Sequence, residues 1–257
     1  IEGNLETTES IEIDLDMGLF VTGSIRAGES IEAGWSIEAG EYIKAGESIE
    51  AGESIEAGWS IEAGESIKAG EYIKAGEYIE AGWSIEAGEY IKAGEYIKAG
   101  EYIEAGGSIE AGEYIKAGGY VEAGWYIEAG ESIKAGKAGE YIKAGGYIEA
   151  GGYIEAGESI EAGESHGVQA GLSITCKGLF KFGLKCFAGI CTWREIDDSE
   201  KTVTCGKFEG GTLEYGILKE TGLASDKKTE TISIGGIEYE VTDDLKKALK
   251  SLKEVEG

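Results

Sequence analysis

The chain has 257 residues, 50 of them acidic and 23 basic, giving a formal charge of −27, and it contains no proline. That balance argues against a direct nucleic-acid binder, which needs a basic stripe, and against an anionic membrane surface. No apolar run approaches the roughly 18 residues of a membrane span, and no signal-peptide pattern is visible, though a chain that opens on Ile1 gives its start little weight.

Residues 1–24 read as a worn version of the phrase that follows them. Ile13 and Leu15, then Leu19 and Val21, take its two inward slots, and Gly23 precedes the regular run. Large side chains in the second slot suit a wider first coil. An open stack would expose strand edges that pair with other molecules, so this segment is expected to be a capping coil.

From residue 25 one six-residue unit recurs: Ser or Tyr, Ile, Glu or Lys, Ala, Gly, then Glu, Trp or Gly. Ile stands at 25, 31, 37, 43 and onward in sixes to 115, followed by Val121, Ile127 and Ile133. A period of six does not fit a helix, whose apolar stripe recurs near 3.6, and each Gly would cost a helix about 1 kcal/mol. Within a unit the alternation has period two. Ile and Ala face one way, and Ser or Tyr and Glu or Lys face the other, as in a half-buried strand. The Gly and its successor make a corner, where freedom to adopt φ > 0 is useful. Strands this short bury an Ile only by stacking coil on coil. Residues 25–190 are therefore expected to form an all-β, single-stranded parallel β-solenoid.

Two coil lengths compete. Three units make an 18-residue triangular coil whose interior three Ile and three Ala can fill. Four units make a 24-residue, four-sided coil with a wider centre, and voids are costly. Packing favours the triangle. Against it, Trp35, Trp59 and Trp83 are spaced by 24, as are Lys44, Lys68, Lys92 and Lys116. A 24-residue coil would stack those tryptophans, and would also make rows of lysine alone, which repel.

The phrase, exemplified by Ser30-Ile31-Glu32-Ala33-Gly34, resembles that of hexapeptide-repeat left-handed β-helices over about two thirds of the chain. It departs from that family in placing its small residue after the aliphatic one. The best-known members are acyltransferases with a catalytic His between coils. The single His here, His166, lies in an irregular stretch, so the resemblance implies a fold and not that activity. The phrase is also similar to hexad repeats of phage and gut-bacterial proteins.

Two interruptions follow, at Lys137-Ala138-Gly139 and near Ser165-His166-Gly167. The repeat then decays while keeping frame, with Ile174 and Cys176, Phe180 and Phe182, and Cys186 and Ala188 in the inward slots. Four cysteines (Cys176, Cys186, Cys191, Cys205) lack the paired spacing of a zinc knuckle. They are expected to be reduced thiols, which suits a cytosolic setting in a host cell or a virion. Residues 191–257 change composition and are expected to form a small β-rich cap. It would hold short strands around Thr202–Cys205 and Thr212–Leu218, a hairpin turning at Gly235-Gly236, and a helix over 242–255 with Thr242 as N-cap.

With one His, no nucleophile-and-base pair can be argued from spacing, and regularly repeated Glu is a solvent-facing ladder. No catalytic residue, metal ligand or cofactor site is expected. The outer face holds the functional candidates. Tyr72, Tyr78, Tyr90, Tyr96, Tyr102 and Tyr114, with Tyr120 and Tyr126, occupy the outward slot before Ile or Val, and Trp35, Trp59, Trp83 and Trp125 stand one residue earlier. Such aromatics either stabilise the stack as ladders or form a recognition face, since Tyr and Trp are preferred interface anchors. The expected function is a non-catalytic structural or binding solenoid that meets a second copy of itself or a protein partner, as in a phage-like particle. Carbohydrate is a further candidate, because sugars stack on aromatic faces. The alternative is an acidic DNA mimic that occupies the basic groove of a nucleic-acid enzyme.

Overall fold

The computed structural model of the protein describes residues 1–13, 17–136 and 140–223, together with the backbone of 231–234 and 237–240. Nearly every unit forms a three- or four-residue strand, as at Ile31–Ala33, Ile37–Ala39, Ile43–Ala45 and Tyr96–Ala99. In each, Ile and Ala are buried and the residue between them faces out. Every Ile of the run from Ile25 to Ile160 has zero exposure. The expected all-β, single-stranded parallel solenoid forms.

Ile43 pairs with Ile61 and Ile61 with Ile79, so successive rungs lie 18 residues apart. Each strand therefore pairs with the third one along, and the rod has three faces. The first carries Ile25, Ile43 and Ile61, the second Ile31, Ile49 and Ile67, the third Ile37, Ile55 and Ile73. The first face is a parallel sheet of 12 strands, so the rod is roughly 55 Å long at about 4.8 Å per rung. The other two faces merge into one sheet at the C-terminal end, where the long strand Leu179–Ala188 pairs with both.

This register separates what a 24-residue coil would have stacked. Lys44 lies beside Glu62, Lys92 beside Glu110, and Lys68 between Glu50 and Glu86. Cross-rung ion pairs follow, among them Lys92–Glu110 at 2.7 Å and Lys74–Glu56 at 2.6 Å. They are exposed, so each contributes at most about 1 kcal/mol.

The corner glycines are required for a reason other than the expected one. Positive φ occurs only at Gly3, Gly189, Gly210, Gly216 and Gly222 among the described residues, and none of these is a corner of the regular run. Instead the coils approach too closely there for a side chain. A Cβ on Gly52 would lie 1.9 Å from the carbonyl oxygen of Gly34, one coil below. The Gly52 N–H meanwhile donates to the Ala33 carbonyl at 3.1 Å. Close stacking, not turn geometry, fixes this position.

The first coil differs from its expected frame. Ile11 pairs with Ile31 and Ile13 with Ala33, so the inward pair is Ile11 and Ile13 and not Ile13 and Leu15. Five residues separate Ile13 from Leu19, where three separate Ala33 from Ile37, so a frame counted backward from residue 25 is shifted by two. Leu15 lies outside the described residues. Leu19 and Val21 take the slots opposite Ile37 and Ala39, as expected.

At the other end the stack runs on past residue 190. Val203 pairs with Ile174, and Thr202–Cys205 in turn pairs with Ile217–Glu220, all parallel. Val203 and Cys205 keep the inward alternation without the Ala-Gly ending, so their place in the stack is hidden by the change in composition. Thr231–Ile234 and Ile237–Glu240 pair antiparallel. The Lys137–Gly139 interruption, the Gly235-Gly236 turn and the helix over 242–255 lie outside the described residues.

All four cysteines are free thiols, and Cys176, Cys186 and Cys205 are buried. Burial pushes the Cys176 and Cys186 thiols up to about 12, and Cys205 to about 11, which leaves little of the reactive thiolate. A maleimide reagent is expected to label Cys191 in the native protein and the other three on unfolding, as counted by mass. Native labelling of Cys176 as fast as Cys191 would remove it from the core.

Candidate recognition surface

The tyrosines from Tyr72 to Tyr147 sit in the outward slots and are half-buried, because rings on successive rungs stack, whereas Tyr153 is exposed. Tyr78, Tyr96 and Tyr114 form one ladder on the first face, with centroids 4.8 and 5.0 Å apart. Tyr102, Tyr120 and Tyr141 form another on the second face, at 5.0 Å per step. On the third, Tyr72 stacks on Tyr90 and Tyr126 on Tyr147, each at 4.9 Å. Most hydroxyls lean over the rung below and donate to its carboxylate, as Tyr141 does to Glu122 at 2.8 Å and Tyr147 to Glu128 at 2.9 Å. Burial and that bond push the Tyr141 phenol up to about 12, and Tyr96, Tyr120 and Tyr147 shift the same way. These ladders present ring edges, not faces, to solvent.

The tryptophans are the open aromatics. Trp35, Trp59, Trp83 and Trp125 are 51–72% exposed. A sequence spacing of 24 on an 18-residue coil carries each of the first three to a different corner. Backbone bonds trace one corner row from Trp35 through Glu53, Glu71, Glu89 and Gly107 to Trp125. No two of these four indoles occupy successive rungs, so the structure scatters the set that the sequence groups. A different corner, before the first face, carries Glu77, Glu95, Glu113 and Glu131 on consecutive rungs.

That glutamate row ends in a groove of about 960 Å³. Beyond Glu131 the corner position becomes Gly152 and then Leu172. The loop over 190–201 leaves the stack one rung later and folds back, bringing Trp193 against Gly171. An Arg194–Glu200 ion pair at 2.5 Å fastens that loop to itself. Tyr114, Ser132, Tyr153, Lys98, Lys116 and Lys134 line the adjoining strip of the first face. A smaller hollow of about 480 Å³ lies where Trp125, Tyr126 and Tyr147 meet His166. Of the predicted site residues, the structure thus brings Tyr114 to the larger groove and Trp125 and Tyr126 to the smaller one.

Ser132, Lys116 and Trp193 did not stand out in the sequence. Lys98, Lys116 and Lys134 are 18 apart, a signal that carries meaning only once the coil length is known. No group of three or more His, Cys, Asp or Glu among the described residues is placed to hold a metal ion. No protein-family model, no curated protein and no solved structure matches the chain.

Proposed function

We propose that the chain is a non-catalytic rod that presents exposed indoles at its corners for association with a second copy or a protein partner, as a structural element of a phage-like particle. The observation that supports this reading most directly is the exposure of Trp35, Trp59, Trp83 and Trp125, residues whose burial at an interface is strongly favourable. The stack gives them a stiff frame, so little ordering cost accompanies docking. The same corner positions hold Glu or Gly in other units, so the fold does not need the indoles.

Replacing all four by Gln tests this without adding charge. Association measured by sedimentation is expected to fall while the circular dichroism spectrum stays. A variant that keeps its mass and its partners would reject the indoles as anchors. The row of Glu77, Glu95, Glu113 and Glu131 favours a second reading, an anionic rod that fills a basic groove. Its binding should weaken steeply as salt rises, whereas indole docking should not.

A further inference from the structure

Four departures from the repeat meet in the groove before the first face. The tyrosine ladder is broken there: Tyr114 stacks on Tyr96 on one side, but its neighbour on the other is Ser132, with Tyr153 on the rung after that. One ring is missing from the stack. The corner side chain is missing too, since Gly152 follows Glu131. Trp193 walls the open side, close enough that a Cβ on Gly171 would lie 2.8 Å from its Cη2.

The fourth departure is electrostatic. Three of the four lysines spaced by 24 lie beside a glutamate, but Lys116 lies between Lys98 and Lys134. Lys98 is held by Glu80 at 2.6 Å and Lys134 by Glu155 at 2.7 Å. Lys116 is exposed and has no ion pair among the described residues. Like charges on adjacent rungs repel; the neighbouring Lys74 and Lys92 each have a glutamate to offset this, whereas an anion accepting from Lys116 would supply the partner it lacks. In a chain of charge −27, a cation without a carboxylate beside it stands out.

We propose that the groove binds a uronic-acid-bearing oligosaccharide, with one pyranose ring at Ser132 between Tyr114 and Tyr153 and its carboxylate on Lys116. One sugar ring offers its two faces to the tyrosine on each side, and a following ring of the oligosaccharide meets the Trp193 indole. The first ring's hydroxyls meet the Ser132 hydroxyl, which donates or accepts, and donate to the Glu131 carboxylate, which only accepts. The volume is at the upper end for a ligand site, so it suits a short oligosaccharide better than a single ring. The site is separate from the indoles proposed for association, none of which lines it.

Titration of the whole chain with a galacturonic-acid trisaccharide, followed by calorimetry and by tryptophan emission, tests this. Saturable binding is expected, with an emission change that Trp193→Phe removes. Lys116→Gln should weaken binding by about tenfold or more, the scale of one charge-assisted contact. Ser132→Tyr supplies the missing ring from the repeat's own repertoire. It should leave the circular dichroism spectrum intact and abolish binding, while Lys44→Gln, outside the groove, should change nothing. Absence of binding to the unaltered chain would overturn the proposal, as would binding that Ser132→Tyr leaves unchanged. A glucose trisaccharide bound as tightly would remove the role of Lys116. Displacement by an equal concentration of sulfate would reduce the site to an anion spot and overturn the seat for the ring.

Discussion

Ile91→Asp is expected to unfold the middle of the rod. Ile91 has no exposure and pairs with Ile73 and Ile109 on the rungs to either side. The substitution removes burial worth about 1.5–3 kcal/mol and sets a carboxylate where no donor reaches it, a further penalty of several kcal/mol. The sum, roughly 5 kcal/mol or more, is a large share of a domain's net stability. Glu89→Gln, two residues away on the exposed corner, should shift the melting temperature by almost nothing. Thermal melts of the two variants beside the parent check the inward assignment, and coincident melts would refute it.

Gly94→Ala is expected to be nearly as damaging, although it adds one methyl group. A Cβ there would lie 2.0 Å from the carbonyl oxygen of Gly76, and that contact is backbone on both sides. The coils would have to part locally, straining the bond from Gly94 N–H to the Ala75 carbonyl. Overpacking of this kind costs about 1–3 kcal/mol, and more where neighbours cannot shift. Gly107→Glu should cost less: its Cβ would lie 2.5 Å from the Glu89 carbonyl oxygen, against 2.0 Å at Gly94, and Glu89 and Trp125 carry side chains in the same corner row one rung to either side. Denaturant melts of both variants decide the point. If the two glycines prove equally tolerant, coil-to-coil contact is not what selects Gly at the corner.

The contrast between these glycines shows where local sequence stops being informative. Both follow from one repeated phrase, yet the stacked neighbour presses harder on one than on the other, at 2.0 Å from a would-be Cβ on Gly94 and 2.5 Å on Gly107. Gly94 presses on a carbonyl from another coil, a contact between residues 18 apart that no reading of adjacent residues contains. The φ > 0 explanation drawn from the sequence was reasonable for a corner, and the structure replaces it with a distance.

The alternation of Ser-Ile-Glu-Ala by itself determined the class of fold. A two-residue period in units too short to bury an Ile singly admits a stacked parallel solenoid, and the inward slots of Ile97, Ile103, Cys176 and Cys186 follow from it. Which outward residues become neighbours was settled only by the tertiary structure, through the 18-residue register. Trp35, Trp59 and Trp83 are equally spaced in the chain and land on three different corners. Tyr78 and Tyr96, separated by three units, become stacked rings. Lys98, Lys116 and Lys134, inconspicuous among 23 basic residues, become a row beside a missing ring. Burial of Ile depends on the strand to which it belongs, whereas a surface site depends on how many residues the chain spends before returning to the same face. That number is fixed by how much interior three Ile and three Ala can fill.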